Sequence, residues 1–331
     1  MEGLNLELSK AQLNSNETKL HSYLRLYEGD DAESLLESLE LILDIAHRKF
    51  KDMFRESWVK FQDNTDMKFA QLTEICESLI GITKETIFNT FQFHPRDLSL
   101  YSELFSVLNE TTKASVHHVY TTNYDRVVEE FCASREIQLI DGFWASPNTR
   151  RALWKSREFD KPTTGKDVVK LFKLHGSLNW LQSEYGIEQV MTETILRAPT
   201  PVYKKNLLIY PGKSKIPPEE EPFKTLYDKF ETQMKETDRC LVIGFSFRDA
   251  YLNRVFRDFV RSGKGQLLVM SSNCKLTVAK TLLGIDEKDL ATFVEGNNFV
   301  PIPCHFGDEN WKQQLGNALR GIPLPIESPL R

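Results

Sequence analysis

His175 closes an apolar run in Leu171–Trp180, L-F-K-L-H-G-S-L-N-W, which breaks abruptly at His175 and Gly176. An imidazole titrates near neutrality, so at a strand end it can take up a proton and return it at working pH. Earlier in the chain, Val116–Asp125, V-H-H-V-Y-T-T-N-Y-D, ends in the hydroxyls of Thr121 and Thr122, the amide of Asn123 and the carboxylate of Asp125. A carboxamide donates and accepts hydrogen bonds at once, which suits a group that holds a polyhydroxylated ligand beside a water. Each of these residues also has a bland reading: a histidine satisfied by hydrogen bonds at a strand end, and an Asn and Asp forming an Asx turn or helix N-cap.

Two further stretches repeat the pattern. Cys240–Asp249, C-L-V-I-G-F-S-F-R-D, breaks at Gly244 into a polar turn containing Ser246, and Gln266–Asn273, Q-L-L-V-M-S-S-N, ends at Asn273. A glycine lets backbone N–H groups approach a phosphate, and a helix starting near Asp249 offers its positive end to an anion. The alternatives are a capping box from Ser246 to Asp249 and a plain turn at Asn273. Lys173, inside the first run, is expected at a rim. Asn179 and Trp180 either line a pocket or anchor the loop after His175.

Short apolar runs closed by turn residues read as interior strands. They are placed at 116–121, 137–141, 168–174, 207–210, 240–245, 266–270 and 299–305. Helices are expected between them at 126–135, 222–237, 251–262 and 276–283, with a last one at 309–319. Strands alternating with helices predict an α/β fold with a doubly wound, Rossmann-like, mostly parallel sheet, whose ligands sit at the carboxyl ends of the strands. Before it, apolar residues at three- and four-residue spacing predict helices over 31–54, 67–80 (stopped by Gly81) and 97–110, so a helical N-terminal region precedes the sheet. The expected division is 1–115, 116–321 and an extended, proline-containing tail at 322–331. Residues 143–170 read as a loop insertion; its basic residues alternate with Glu158 and Asp160, the pattern of a solvated face or partner contact.

A chain of 331 residues can bury a substantial core, and its formal net charge of −5 gives no strong field directed at nucleic acid or an anionic membrane. No apolar run approaches the roughly 20 residues needed to span a bilayer, and the polar start is no signal peptide, so a cytoplasmic location is expected. The five cysteines are scattered and never spaced as C-x-x-C, which argues against a disulfide framework or a zinc ribbon.

T-T-N-Y-D and K-L-H-G-S together, with G-F-S and the strand-end Asn273 following in order, resemble the sirtuin-like family, and more closely its bacterial branch of NAD-consuming antiphage defence proteins than the protein deacylases. The resemblance implies that His175 is a base toward the nicotinamide ribose, that Asn123 holds that ribose and the attacking water, and that Asp125 lies near the nicotinamide end. It places Thr121, Thr122, Gly176, Ser177, Gly244, Ser246 and Asn273 against the cofactor. It implies NAD as substrate, NAD glycohydrolase activity in antiphage defence, a homo-oligomer, and an ATPase or nucleic-acid-sensing partner. Many deacylases of the family carry a four-cysteine zinc module after the H-G turn; the cysteine pattern gives none here, and no zinc is expected.

One departure stands out. The family opens with a strand and a G-A-G-x-S phosphate loop, whereas before residue 116 this chain has only Gly3, Gly29 and Gly81. Because the first strand of a doubly wound sheet is normally central, its slot must be filled. Leu4–Leu8, a partner chain, a longer product of which this is a shortened form, or a different topology are the expected solutions. The departure also opens an alternative function, a catalytically silent NAD- or ADP-ribose-binding or scaffold subunit of a defence complex.

Overall fold

The computed structural model describes residues 13–14, 17–18, 20–22, 24, 38–39, 42–43, 58–60, 66–93, 98–145, 152–163, 167–190, 205–209 and 218–322. The chain divides into two compact units, Met1–Pro95 with Ile209–Ser214, and Arg96–Leu208 with Lys215–Arg331. In the smaller unit, strands β1 (Trp58–Lys60) and β2 (Asp66–Lys68) pair antiparallel and lead into helix α1 (Phe69–Phe93). Its Leu72, Ile75, Cys76 and Leu79 are buried at the spacing that predicted the helix. The expected stop at Gly81 does not occur, since a helical glycine costs only about 1 kcal/mol against alanine. The expected helix over 31–54 is described only at residues 38, 39, 42 and 43, all helical. Leu4–Leu8 lies outside the described residues.

The larger unit is α/β, with two three-stranded parallel sheets among helices. In the first, β3 (Val116–Thr121) and β4 (Gln138–Ile140) flank β7 (Val168–Lys173). Val168 is level with both Val116 and Gln138, and Lys173 with Thr121. β7 is buried almost throughout, as a central parallel strand covered on both faces must be. One of its faces, Val169 and Leu171, packs with Phe105 of α2 (Ser99–Thr112) and with Val128, Phe131 and Cys132 of α3 (Val127–Ser134). On the other, Phe172 stacks between Tyr120 and Phe159, with ring centroids 4.5 and 4.4 Å away.

The second sheet has the order β11 (Arg239–Ile243), β12 (Gln266–Met270), β13 (Phe299–Ile302). Helix α4 (Phe223–Glu236) precedes β11 and α5 (Ala250–Arg261) follows it. Its core gathers Leu268, Met270, Ile302 and Trp311, and Leu104, Val107 and Leu108 of α2 pack against it. Neighbouring residues of α2 therefore cover both sheets. Among the described strands, β3 and β11 are each paired on one side only.

A third sheet corrects the expected loop at 143–170. β5 (Phe143–Ala145), β6 (Ala152–Trp154), β8 (Gly176–Ser183), β9 (Gly186–Gln189) and β10 (Lys205–Leu208) form an antiparallel sheet in the order β10-β8-β9-β6-β5. β8 grows directly out of the turn at His175. No described helix is long and apolar enough to cross a membrane.

Candidate functional site

The parallel register fixes where the predicted residues stand. Thr121 and Lys173 are the last residues paired between β3 and β7, so Asn123 and His175 each lie two residues beyond the same pair. The Leu174 N–H donates to Thr121 O at 2.9 Å, which carries the contact one residue further. Both groups therefore leave the sheet at its carboxyl end, the end where open α/β sheets place ligands.

The turn after β3 is tightly specified. Thr121 Oγ1 accepts from the Asn123 N–H at 3.0 Å, and Asp125 Oδ1 accepts from the Val127 N–H at 3.0 Å, opening α3. Of the two local roles expected of Asp125, the Asx turn is present, whereas the N-cap position of α3 is Arg126, with no side-chain capping bond. Tyr124 is buried while Asn123 is exposed, so the turn points its carboxamide outward and its aromatic ring inward. Thr122 is half-buried between them. Tyr124 O accepts from the Leu178 N–H at 3.2 Å and from Ser177 Oγ at 3.4 Å, which ties the turn to β8.

Lys173 is not at a rim. It is 1 % exposed, and its Nζ donates to Glu129 Oε1 at 3.0 Å, Ser177 Oγ at 2.8 Å, Tyr124 O at 3.3 Å and Asp125 O. Burial lowers the pKa of this amine, and the Glu129 carboxylate opposes that shift. Burial pushes the phenol of Tyr101, which packs against Phe131 of α3, up to about 12, with the carboxylates of Asp125 and Glu129 adding to the effect.

His175 is 4 % exposed, and its Nε2 lies 3.2 Å from Asp249 Oδ2. Asp249 is equally buried, and its other oxygen accepts from the Leu252 N–H at 2.9 Å, so one carboxylate caps α5 and holds the imidazole. If Nε2–H is the donor to Asp249, Nδ1 is the basic nitrogen of the neutral ring. Gly176 must be glycine: its φ is +85°, and a Cβ there would sit 2.0 Å from Leu207 O of β10. Ser177 is fully buried within the Lys173 network. Trp180 packs against Phe143 and Trp154. Its Nε1, and Asn179 Oδ1, are buried without a hydrogen-bond partner among the described residues.

The second group of predicted residues stands apart in character. Ile243 and Met270 end the β11–β12 pairing, so Ser246 and Asn273 each lie three residues beyond one pair, as Gly244 lies one beyond. Gly244, Ser246 and Asn273 are exposed, and Asn273 caps no N–H of the short helix it precedes. The turn is strained at Phe247, a buried aromatic held at φ +56°, where the carboxamide Nδ2 of Asn253 donates to its carbonyl.

Sequence reasoning missed Asp249 and Glu129 as partners of the site. In the sequence Asp249 stood as the far end of a capping box from Ser246; the structure makes Asp249 itself the N-cap of α5, and nothing in the sequence pointed to the imidazole it faces. Glu129 stands in the first turn of α3, where an acidic residue is ordinary. Among the described residues, no group of three or more His, Cys, Asp or Glu side chains is placed to hold a metal ion.

Residues 117–302, more than half of the chain, match the family of the SIR2-like domain. No curated protein matches the chain.

Proposed function

The chain belongs to the SIR2-like domain family, whose domains use NAD, and from that premise we propose that it is an NAD glycohydrolase. The observation that carries the reading is the shared end of β3 and β7, which presents an outward carboxamide at Asn123 and a carboxylate-held imidazole at His175. Cleavage breaks the bond between nicotinamide and ribose C1′ through an oxocarbenium-like state, and water adds to C1′ to give ADP-ribose and a proton. Asn123 orients the ribose and the water. His175 takes a proton at Nδ1 while Asp249 stabilises the resulting imidazolium. Asp125 shapes the nicotinamide side. Gly244, Ser246 and Asn273, exposed at the end of the second sheet, fit the adenosine ribose and phosphates, with Thr121, Thr122, Gly176 and Ser177 framing the first turn.

The resemblance of T-T-N-Y-D and K-L-H-G-S to the bacterial defence branch supports an antiphage role, acting as a cytoplasmic homo-oligomer with an ATPase or nucleic-acid-sensing partner. A second reading, an NAD- or ADP-ribose-binding scaffold without turnover, draws on the lack of a paired-glycine loop before residue 116 and on the near-complete burial of His175.

Incubation of the purified protein with NAD separates the two. The hydrolase releases nicotinamide and ADP-ribose in equal amounts, and His175→Ala and Asn123→Ala each lower the rate by about 100- to 10,000-fold. Calorimetric binding of NAD with no release establishes the scaffold instead. Release that survives both substitutions removes the site assignment.

A further inference from the structure

Lys173 is a buried charge with no part in the proposed hydrolysis. Successive strand residues alternate in direction, so Lys173 shares with Val169 and Leu171 the face of β7 that packs beneath α3. An apolar residue would extend that core. A buried Lys–Glu pair gains little net stability, because the desolvation of two ions offsets their attraction, so this pair calls for another reason.

The acceptors around Nζ supply one. Glu129 belongs to α3, Ser177 to β8, and the carbonyls of Tyr124 and Asp125 to the turn that carries Asn123. Leaving aside the Ser177 hydroxyl, which can itself donate, Glu129 Oε1 and the two carbonyls are three obligate acceptors, one more than the two N–H bonds of a neutral amine and equal to the three of an ammonium. The arrangement therefore calls for the ammonium form, with Glu129 as counter-charge. Both carbonyls are drawn inward onto one cation, which leaves the carboxamide of Asn123 facing out. Lys173 is also two residues before His175 on its own strand, so a single side chain links the two halves of the site.

We infer that Lys173, paired with Glu129, is the positioning residue that locks the 122–126 turn against β7 and so sets Asn123 relative to His175. The inference rests on the hydrolase reading for its kinetic consequence but not for its structural one, and the test keeps the two apart. Lys173→Met is compared with Lys173→Met/Glu129→Leu, in which no charge is left buried alone and the fold is kept. In the double variant, backbone amide exchange over residues 121–127 accelerates at least about 10-fold, while that over 250–261 stays within about twofold. Nicotinamide release loses about 100-fold in kcat with KM within about threefold, as a misplaced but still occupied site would.

Unchanged exchange over 121–127, or a folded double variant with the parent kcat, overturns the inference. Loss of the folded state in both variants assigns Lys173 to stability alone and overturns it too. If the parent protein releases no nicotinamide, the hydrolase reading fails, and exchange alone then decides whether the clamp stands.

Discussion

The first parallel sheet of the larger unit ends at Thr121 and Lys173, the second at Ile243 and Met270, and each end carries two of the predicted residues at equal distance past the last pair. At the first end, Lys173, His175 and Ser177 are buried and bonded, Lys173 to Glu129, Ser177 and two carbonyls and His175 to Asp249, while Asn123 faces out. Beyond the second end, Gly244, Ser246 and Asn273 lie exposed in short turns. A network satisfied internally holds its groups still, as a reaction that depends on orientation requires. An exposed turn with backbone N–H groups and a helix start is suited to a ligand that brings its own oxygens. On the hydrolase reading proposed above, the first end is the place for bond cleavage and the second the place for binding.

The two turn glycines give the largest test of this contrast. Gly176 and Gly244 share a left-handed backbone, yet a Cβ at Gly176 meets Leu207 O at 2.0 Å, and one at Gly244 meets nothing within 4 Å. Gly176→Ala is expected to cost more than about 2 kcal/mol, through left-handed strain plus the parting of β8 from β10. Gly244→Ala is expected to cost about 1 kcal/mol, from strain alone. Denaturant midpoints read both, and equal losses would mean that the first end is no more tightly built than the second.

Next in size is Asp249→Asn. Asparagine caps a helix about as well as aspartate, so the melting temperature should hold, while the imidazole loses its carboxylate and kcat falls about 10- to 100-fold. A matching fall in stability would reduce Asp249 to its capping role. Smaller again are Ser246→Ala and Asn273→Ala, each expected to raise KM for NAD up to about 10-fold, the cost of one hydrogen bond to a ligand, with kcat unchanged. A kcat effect there equal to that at Asn123 would erase the distinction between the two ends.

The sequence made the parallel strands legible because each is a continuous apolar run closed by a turn residue, and β3, β7 and β12 lie where those runs stand. It hid most of the antiparallel sheet, of which only β10 overlaps an expected strand, at 207–210. β5 and β6 are three residues each and fall within a basic, proline-containing segment, too short to show an alternation. The proposed site was legible only as residue types with a suggestive chemistry, as at Asn123 and His175. It was illegible where the meaning lies in a partner distant in sequence. Lys173 reads as a rim lysine until Glu129 and the carbonyls of the next turn are folded around it. Asp249 reads as a helix cap until His175 arrives at its second oxygen. Spacing along one strand or helix carries no information about such pairs.

A crystal structure of the protein with ADP-ribose would show whether Asn123 and His175 meet over one ribose. The distal ribose is expected within about 3.2 Å of both the Asn123 carboxamide and the His175 imidazole, with the pyrophosphate over the Gly244–Ser246 turn. A ribose that touches neither group, or that reaches one while packed side chains wall off the other, would contradict that arrangement.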